Sequence, residues 1–209
     1  MKTGKKRVRA GLAGLLTITM LLGLVGLTLG LCGCNVTLAE PEETLTNFFD
    51  GLKTKDEDAL VFYAENEDIH MLIHSSGDKK QLNKLYDSVF QNFSYKILSV
   101  DKNGENGRET KATAKVEVSN ADFSKVLEQY KKTSYDYMQA NLYAGLSKKT
   151  LNAKCLELFV KQVRKAAKKA DMNTETLTIH LTKNENYSWD MELTEEMMNV
   201  ILGGLIIPL

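Results

Sequence analysis

Cysteine is scarce in this chain of 209 residues: Cys32, Cys34 and Cys155 are its three thiols. Cys32 and Cys34 sit one residue apart at the end of an apolar segment. No electropositive neighbour is there to lower a thiol pKa, which argues against a redox pair. Histidine is equally sparse. His70 and His74 stand at i, i+4, a metal-ligand spacing, yet the Glu of H-E-x-x-H is missing and no Cys or third His lies nearby. They read as exposed or capping side chains, and no metal site is expected. His180 falls on the polar side of a strand pattern and reads as surface. No P-loop, G-x-S-x-G or dinucleotide fingerprint is present, so no cofactor is expected and no catalytic residue is assigned.

Charge is also unevenly missing. Residues 1–10 hold five basic groups (Lys2, Lys5, Lys6, Arg7, Arg9) and no acid, and residues 11–31 hold no charge. A basic segment followed by an apolar one is the order of a secretory signal. The apolar run is 21 residues long, beyond the ~7–15 of a usual signal core and near the ~20 that cross a bilayer. A retained transmembrane helix is therefore the alternative. Leu31-Cys32-Gly33-Cys34 reads instead as a lipobox. Lipid transfer needs a thiol at position 34, and the peptidase that cuts before it needs a small residue, Gly33. Five glycines in the run weaken a lasting helix.

The expected division is a lipoprotein signal over 1–33, a lipidated tether over 34–40 and one α+β domain over 41–209. Acyl chains on Cys34 would hold the domain on the outer face of the cell membrane. Two chains hold a protein stably where one does not, at ~0.8 kcal/mol per buried CH₂. With Cys34 blocked as a thioether, Cys155 has no partner for a disulfide. Its place among apolar residues at helical spacing suits a buried structural thiol. The mature chain carries 22 basic and 27 acidic residues, a net −5, which argues against a general nucleic-acid binder.

Periodicity orders the remainder. PEETLTNFFDGLK opens with Pro41 at a first helical position, then Glu42 and Glu43 at the positive helix end. Leu45, Phe48, Phe49 and Leu52 form one apolar face. Asp56 is placed to cap a short helix reaching Tyr63. Leu82, Leu85, Tyr86, Val89 and Phe90 mark a third helix. Phe93, Tyr95 and Ile97 then alternate with polar residues, as do Ala112, Ala114, Val116 and Val118, around a turn at 103–107. Ser119–Asp122 offers caps for two long helices. The first shows Val126, Leu127, Tyr130, Tyr137 and Met138. The second starts at Ser147 and shows Leu151, Cys155, Leu158, Phe159, Val163, Ala166 and Ala170. A second hairpin follows, with strands over 177–181 and 187–193 and a turn at 184–186. Thr194 caps a last helix that stops at Gly203-Gly204. The fold class expected is α+β: a curved antiparallel sheet of about four strands packed against helices, cone-like, with a helical pair between the two hairpins.

Leu31–Cys34, PEETLTNFFDGLKTKD at 41–56, FSYKILSV at 93–100 and NYSWDMELTEEMMNVILGGL at 186–205 carry a resemblance. The chain resembles the nuclear-transport-factor-2-like (cystatin-like) cone of many Gram-positive lipoproteins. The helical pair at 122–170 departs from the minimal cone. The resemblance implies a curved sheet with helices on its concave side. It implies no activity, because such cones serve as enzymes, binders and scaffolds.

Some cone-fold enzymes transfer protons with a cavity carboxylate and tyrosine. Asp190 and Tyr95 are the residue types for that role, but Asp190 is out of phase with Trp189 and Met191. Tyr95 and Trp189 are the candidate pocket-lining residues. Charge is segregated. Residues 38–68 hold ten acids against two lysines, and residues 147–170 hold eight basic groups against one acid, Glu157. Lys154, Lys161, Arg164, Lys165 and Lys168 make a candidate contact for anionic lipid or anionic wall polymer. The apolar tail at 205–209 is expected to pack on the domain or to mark a protein contact. The function expected is a non-catalytic ligand- or partner-binding domain at the cell surface. A cone-fold enzyme or a structural envelope accessory is the alternative.

Overall fold

Helix α1, Pro41–Thr54, takes the form its spacing predicts: Leu45, Phe48, Phe49 and Leu52 are fully buried. The protein is described here from a computed structural model, over residues 40–63, 66–74, 78–104, 109–169 and 171–208. The apolar run, the lipobox with Gly33 and Cys34, and the tether up to residue 39 lie outside the described residues. Glu40, just before α1, pairs with Lys102 and so ties the helix start to the first strand. After α1, the Asp56 carboxylate accepts from the Asp58 and Ala59 amides and caps α2, Glu57–Leu60, which tightens into a 3₁₀ turn over Val61–Tyr63.

Helix α3, Glu67–His74, is an element the periodicity did not assign. It is only eight residues long, and one of its apolar residues, Ile69, is fully buried. Asn66 caps it by accepting from the Ile69 amide. Helix α4, Lys79–Phe90, is capped by Asp78 and buries Leu85, Tyr86, Val89 and Phe90. The buried Tyr86 hydroxyl donates to the Leu52 carbonyl at 2.7 Å, joining α4 to α1.

Strands β1 (Ser94–Asn103), β2 (Lys111–Ala121), β3 (Met172–Lys183) and β4 (Trp189–Met191) form one antiparallel sheet in that order. Its inner face is Ala112, Ala114, Val116 and Val118 beside Leu177, Ile179 and Leu181, all buried. Lys115, Glu117, Thr176, Thr178 and His180 face water, as alternation requires. A register shift between Ile97 and Ser99 throws Leu98 outward. β4 is shorter than its alternation suggests. The Asn184 side chain accepts from the Asn186 and Ser188 amides, and Tyr187 adopts φ 61°, so the turn consumes what looked like strand. Beyond Met191, Leu193 leaves the sheet and packs against the core.

Two of these helices pack on the sheet. α1 lies against β1 and β4, the two outer strands, and α4 against β2. The architecture is thus α+β: a curved four-stranded sheet covered by helices, with a helical pair between its hairpins.

That pair is α5, Val126–Ala140, and α6, Lys148–Ala167. The expected caps at 119–122 are corrected. β2 runs on to Ala121, and Asn120 is wholly buried, donating to the Ile201 carbonyl at 2.8 Å. Asp122 instead accepts from the Ser124 amide. Ser147 caps α6 as expected, accepting from the Thr150 amide. The buried face of α6 is rotated from the one expected: Phe159, Val160, Gln162, Val163 and Ala167 are inside, whereas Leu151 and Leu158 are half-buried. The helix is gripped by α4 and α5 together, so two arcs of its surface are covered. Cys155 is half-buried rather than fully enclosed. The side chains of Gln91 and Asn92 donate to the Ala167 carbonyl at 3.1 and 2.6 Å, closing the α6 C-terminus onto the end of α4.

Helix α7, Glu195–Ile201, is capped by Thr194 and packs on β2 and β3. After it, Gly203 adopts φ 60° and accepts from the Phe123 amide at 2.8 Å. A Cβ on Gly203 would lie 2.0 Å from the Ala121 carbonyl oxygen. Only glycine fits this approach and this φ. Gly203→Ala is therefore expected to destabilise the domain by more than ~2 kcal/mol, read as a lowered urea midpoint with an unchanged slope. Wild-type stability in that variant would show that the seam is not tight.

Candidate functional site

The inner face of the sheet offers no cavity chemistry. Among the described residues the buried polar side chains are Ser88, Asn120, Ser134 and Gln162, and no carboxylate is buried. The polar features gather instead on the far side of α1.

There a cleft of about 840 Å³ opens between α1, α2 and the β3–β4 turn. Its walls carry three carboxylates, Asp50, Asp56 and Asp190, and three amides, Asn47, Asn184 and Asn186. Trp189 and Tyr63 contribute aromatic surface. Among the described residues no lysine or arginine lines it. The turn at 184–188 is rigid where it borders the cleft: Asn184 holds two amides through its oxygen and donates from Nδ2 to Asp190 at 3.0 Å. A second cleft of about 780 Å³ lies on the other side of the 3₁₀ turn, between α3 and α7. It is lined by Met71, Leu193, Leu202, Leu205 and Ile206, with Glu67 and Glu195 among them. Phe62, 84% exposed, borders both clefts. Of the apolar tail, Leu205 is buried and Ile207 packs against the core, while Ile206 stays exposed.

Of the two candidate lining residues, Trp189 borders the larger cleft and is itself buried, with the Lys183 ammonium 5.0 Å above its ring. Tyr95 stacks on Phe49 at 4.8 Å, and its hydroxyl donates to Asp50 at 2.9 Å, so it orients a wall carboxylate. Burial, then the hydrogen bond and charge of Asp50, raise its pKa above the ordinary tyrosine value. Asp190 points to water, as its phase indicates, but at the cleft wall. Burial and then Asp190 raise the Tyr63 pKa as well. Each tyrosine is thus held neutral, unsuited to act as a base near neutral pH.

Asp50, Asn47, Tyr63 and Asn184 were not singled out by sequence reasoning. Their signals existed, in the acidic stretch at 38–68 and the turn at 184–186, but nothing local says that these segments meet.

The remaining candidates lie elsewhere. His70 is exposed, the side chain of His74 is outside the described residues, and His180 Nδ1 lies 3.4 Å from the Thr113 hydroxyl on the wet face of the sheet. Among the described residues no cluster of three His, Cys, Asp or Glu is placed to hold a metal. On α6, Lys161, Arg164 and Lys165 are exposed, as is Lys168 just past its end. Lys154 is engaged by Glu157 at 2.9 Å and lies 6.0 Å from the Tyr137 ring. The Cys155 thiol faces Tyr130, whose pKa is raised by burial and then by that thiol. Among the described residues no helix is long and apolar enough to cross a membrane.

No family model matches the chain, and no curated protein does. Among solved structures the chain is similar to a candidate lipoprotein, ycdA, from Bacillus subtilis. The identity is 14% and the TM-score 0.40, over 81% of this chain and 48% of that one. The chain therefore spans about half the length of that protein.

The tyrosines set an alkaline limit. Tyr63, Tyr86 and Tyr95 all have pKa values raised in the fold. Their contribution is complete below the unfolded-state pKa of about 10. It is lost as pH rises from there through the folded values, because the unfolded chain releases those protons first. Asp190→Asn is expected to lower the Tyr63 transition toward the ordinary value in tyrosinate absorbance titrations. An unchanged titration would remove Asp190 from the environment of Tyr63.

Proposed function

We propose that the chain is a lipoprotein held by acyl chains on Cys34 at the outer face of the cell membrane, and that its domain binds a ligand without catalysing a reaction. The observation that carries the binding reading is the cleft of about 840 Å³ beside α1. Its size falls within the ~300–1,000 Å³ of small-molecule sites. Three carboxylates, three amides and three aromatic rings, of Phe62, Tyr63 and Trp189, meet there with no lysine or arginine among the described lining residues. A ligand matching that wall donates hydrogen bonds and is neutral or positively charged, such as a polyhydroxylated or amine-bearing molecule. Aromatic surface from exposed Phe62 and half-buried Tyr63 would cover its apolar side. That the described residues bury no carboxylate favours binding over proton transfer inside a cone.

Anchoring rests on the order of basic segment, apolar run, small residue and thiol at 2–34. We also propose that Lys161, Arg164, Lys165 and Lys168 meet an anionic surface, lipid or wall polymer, as four exposed cations on the last turns of α6 and its C-cap.

Native mass spectrometry of the protein extracted from membranes tests both halves. The expected species lacks residues 1–33, carries a diacylglyceryl adduct at Cys34, and retains a small molecule that Asn47→Ala with Asp190→Asn releases. A full-length, unacylated mass would establish the spanning alternative. An acylated protein that retains no ligand and shows no variant-sensitive binding across a panel of sugars and amines would overturn the cleft reading.

A further inference from the structure

The α5–α6 hairpin ends in a surface that the domain does not cover. Four of the ten exposed large apolar side chains among the described residues fall between 135 and 143: Tyr135 (58% exposed), Met138 (44%), Leu142 (62%) and Tyr143 (96%). Tyr135, Met138 and Leu142 follow i, i+3, i+7, so they share one face of α5 and the turn that continues it. The neighbouring face, with Tyr130, Ser134 and Tyr137, turns inward. Tyr130 meets Phe159 of α6 at 5.4 Å, so the hairpin is closed by other residues and has no use for the outer four.

Charge indicates what covers them. Residues 131–149 carry Lys131, Lys132, Lys148 and Lys149 against one carboxylate, Asp136, although the chain from 34 onward is acidic overall. Lys131, Lys132, Lys148 and Lys149 are exposed and flank the apolar tip on both helices. Two tyrosines, a leucine and a methionine ringed by lysines match the boundary between headgroups and acyl chains. Tyrosine rings settle at that level, and lysines extend from it to anionic phosphate. A water-soluble acidic partner would satisfy the lysines but leave Leu142 and Met138 without an apolar counterpart.

We propose that this tip, Tyr135 to Lys149, docks into the surface of an anionic bilayer and fixes the orientation of the domain on the membrane. The proposal rests on the membrane attachment argued above but not on its chemistry, because acyl chains and an uncleaved span both deliver the chain to the bilayer. Along α6, Lys165 lies about 25 Å from Lys148 at 1.5 Å per residue. The tip and the cluster at Lys161–Lys168 are therefore separate contacts.

The full chain, reconstituted into phosphatidylcholine vesicles with or without phosphatidylglycerol and with brominated acyl chains, tests the proposal. Tyr143→Trp serves as reporter, and buried Trp189 supplies the background in the unsubstituted protein. The expected result is a blue-shifted emission, quenched several-fold more than the background, and only when phosphatidylglycerol is present. Changing Lys131, Lys132, Lys148 and Lys149 to Glu removes that quenching while circular dichroism stays unchanged. Changing Lys161, Arg164, Lys165 and Lys168 to Ser leaves it intact and reduces only salt-sensitive binding to anionic lipid or to poly(glycerol phosphate). Quenching no greater than background, in a chain that floats with the vesicles, would overturn the tip contact and leave the anchor standing. A blue shift that follows dimer formation in sedimentation, with no bromine quenching, would assign the tip to a second copy and equally overturn it.

Discussion

Burial of one helical stripe, Leu45, Phe48, Phe49 and Leu52 on α1, is the constraint from which the rest of the domain follows. A four-stranded open sheet has two free edges and one apolar face to cover. α1 packs against both outer strands, β1 and β4, so a single helix spans the open side of the sheet. Each of the four side chains is fully buried, at ~1.5–3 kcal/mol apiece for burial of this kind. Phe49 stacks on Tyr95 of β1 at 4.8 Å, and Phe48 meets Tyr63 of the 3₁₀ turn at 4.7 Å. Tyr86 fixes the end of the helix through the Leu52 carbonyl, and the exposed pair Glu40–Lys102 lies at its beginning. The outward residues of that helix, Thr44, Asn47 and Asp50, are a wall of the larger cleft. Core and cleft are two faces of one element, so the geometry of the second inherits the rigidity of the first.

The C-terminal segment closes the structure from another side. Asn120 would be a costly buried amide without a partner. It has one in the Ile201 carbonyl, and its own oxygen accepts from the Ala121 amide. Gly203 lets the chain pass within contact of β2 and receive the Phe123 amide. The end of β2 is thereby locked to the end of α7, at the point from which the α5–α6 hairpin departs. The hairpin is held at its base by Gln91 and Asn92 and leaves its far end exposed. A rigid base with an uncovered tip is the arrangement expected of a surface presented to something else.

Local patterns made much of this legible. α1, the Asp56 cap, α4, both inner-face strands and the Thr194 cap followed from periods of 3.6 and 2 and from capping chemistry. The departures have identifiable causes. α3 went unassigned because its eight residues make little more than two turns, too few for a period to stand out. The strand expected at 187–193 shrank because Asn184 draws two amides into its turn. The α6 face rotated because two neighbours cover it, and Ser119–Ala121 remained strand because Asn120 bonds a helix 81 residues away. The cleft was the least legible feature. Its walls come from 44–63 and 184–191, and their union depends on a strand order that no short window contains. Trp189 was recognisable as a lining residue type, whereas Asp50 looked like one more acid on a solvated helix.

Native-state hydrogen exchange at the α1 amides tests the central claim most directly. If α1 is the strut that spans the sheet, the amides between Leu45 and Leu52 exchange only through global unfolding. They would then share the free energy and denaturant dependence of the β2 and β3 amides. Exchange of α1 at a distinctly lower free energy, with β2 and β3 still protected, would contradict the account. It would mean that the sheet stands without the helix and that the cleft has no rigid wall.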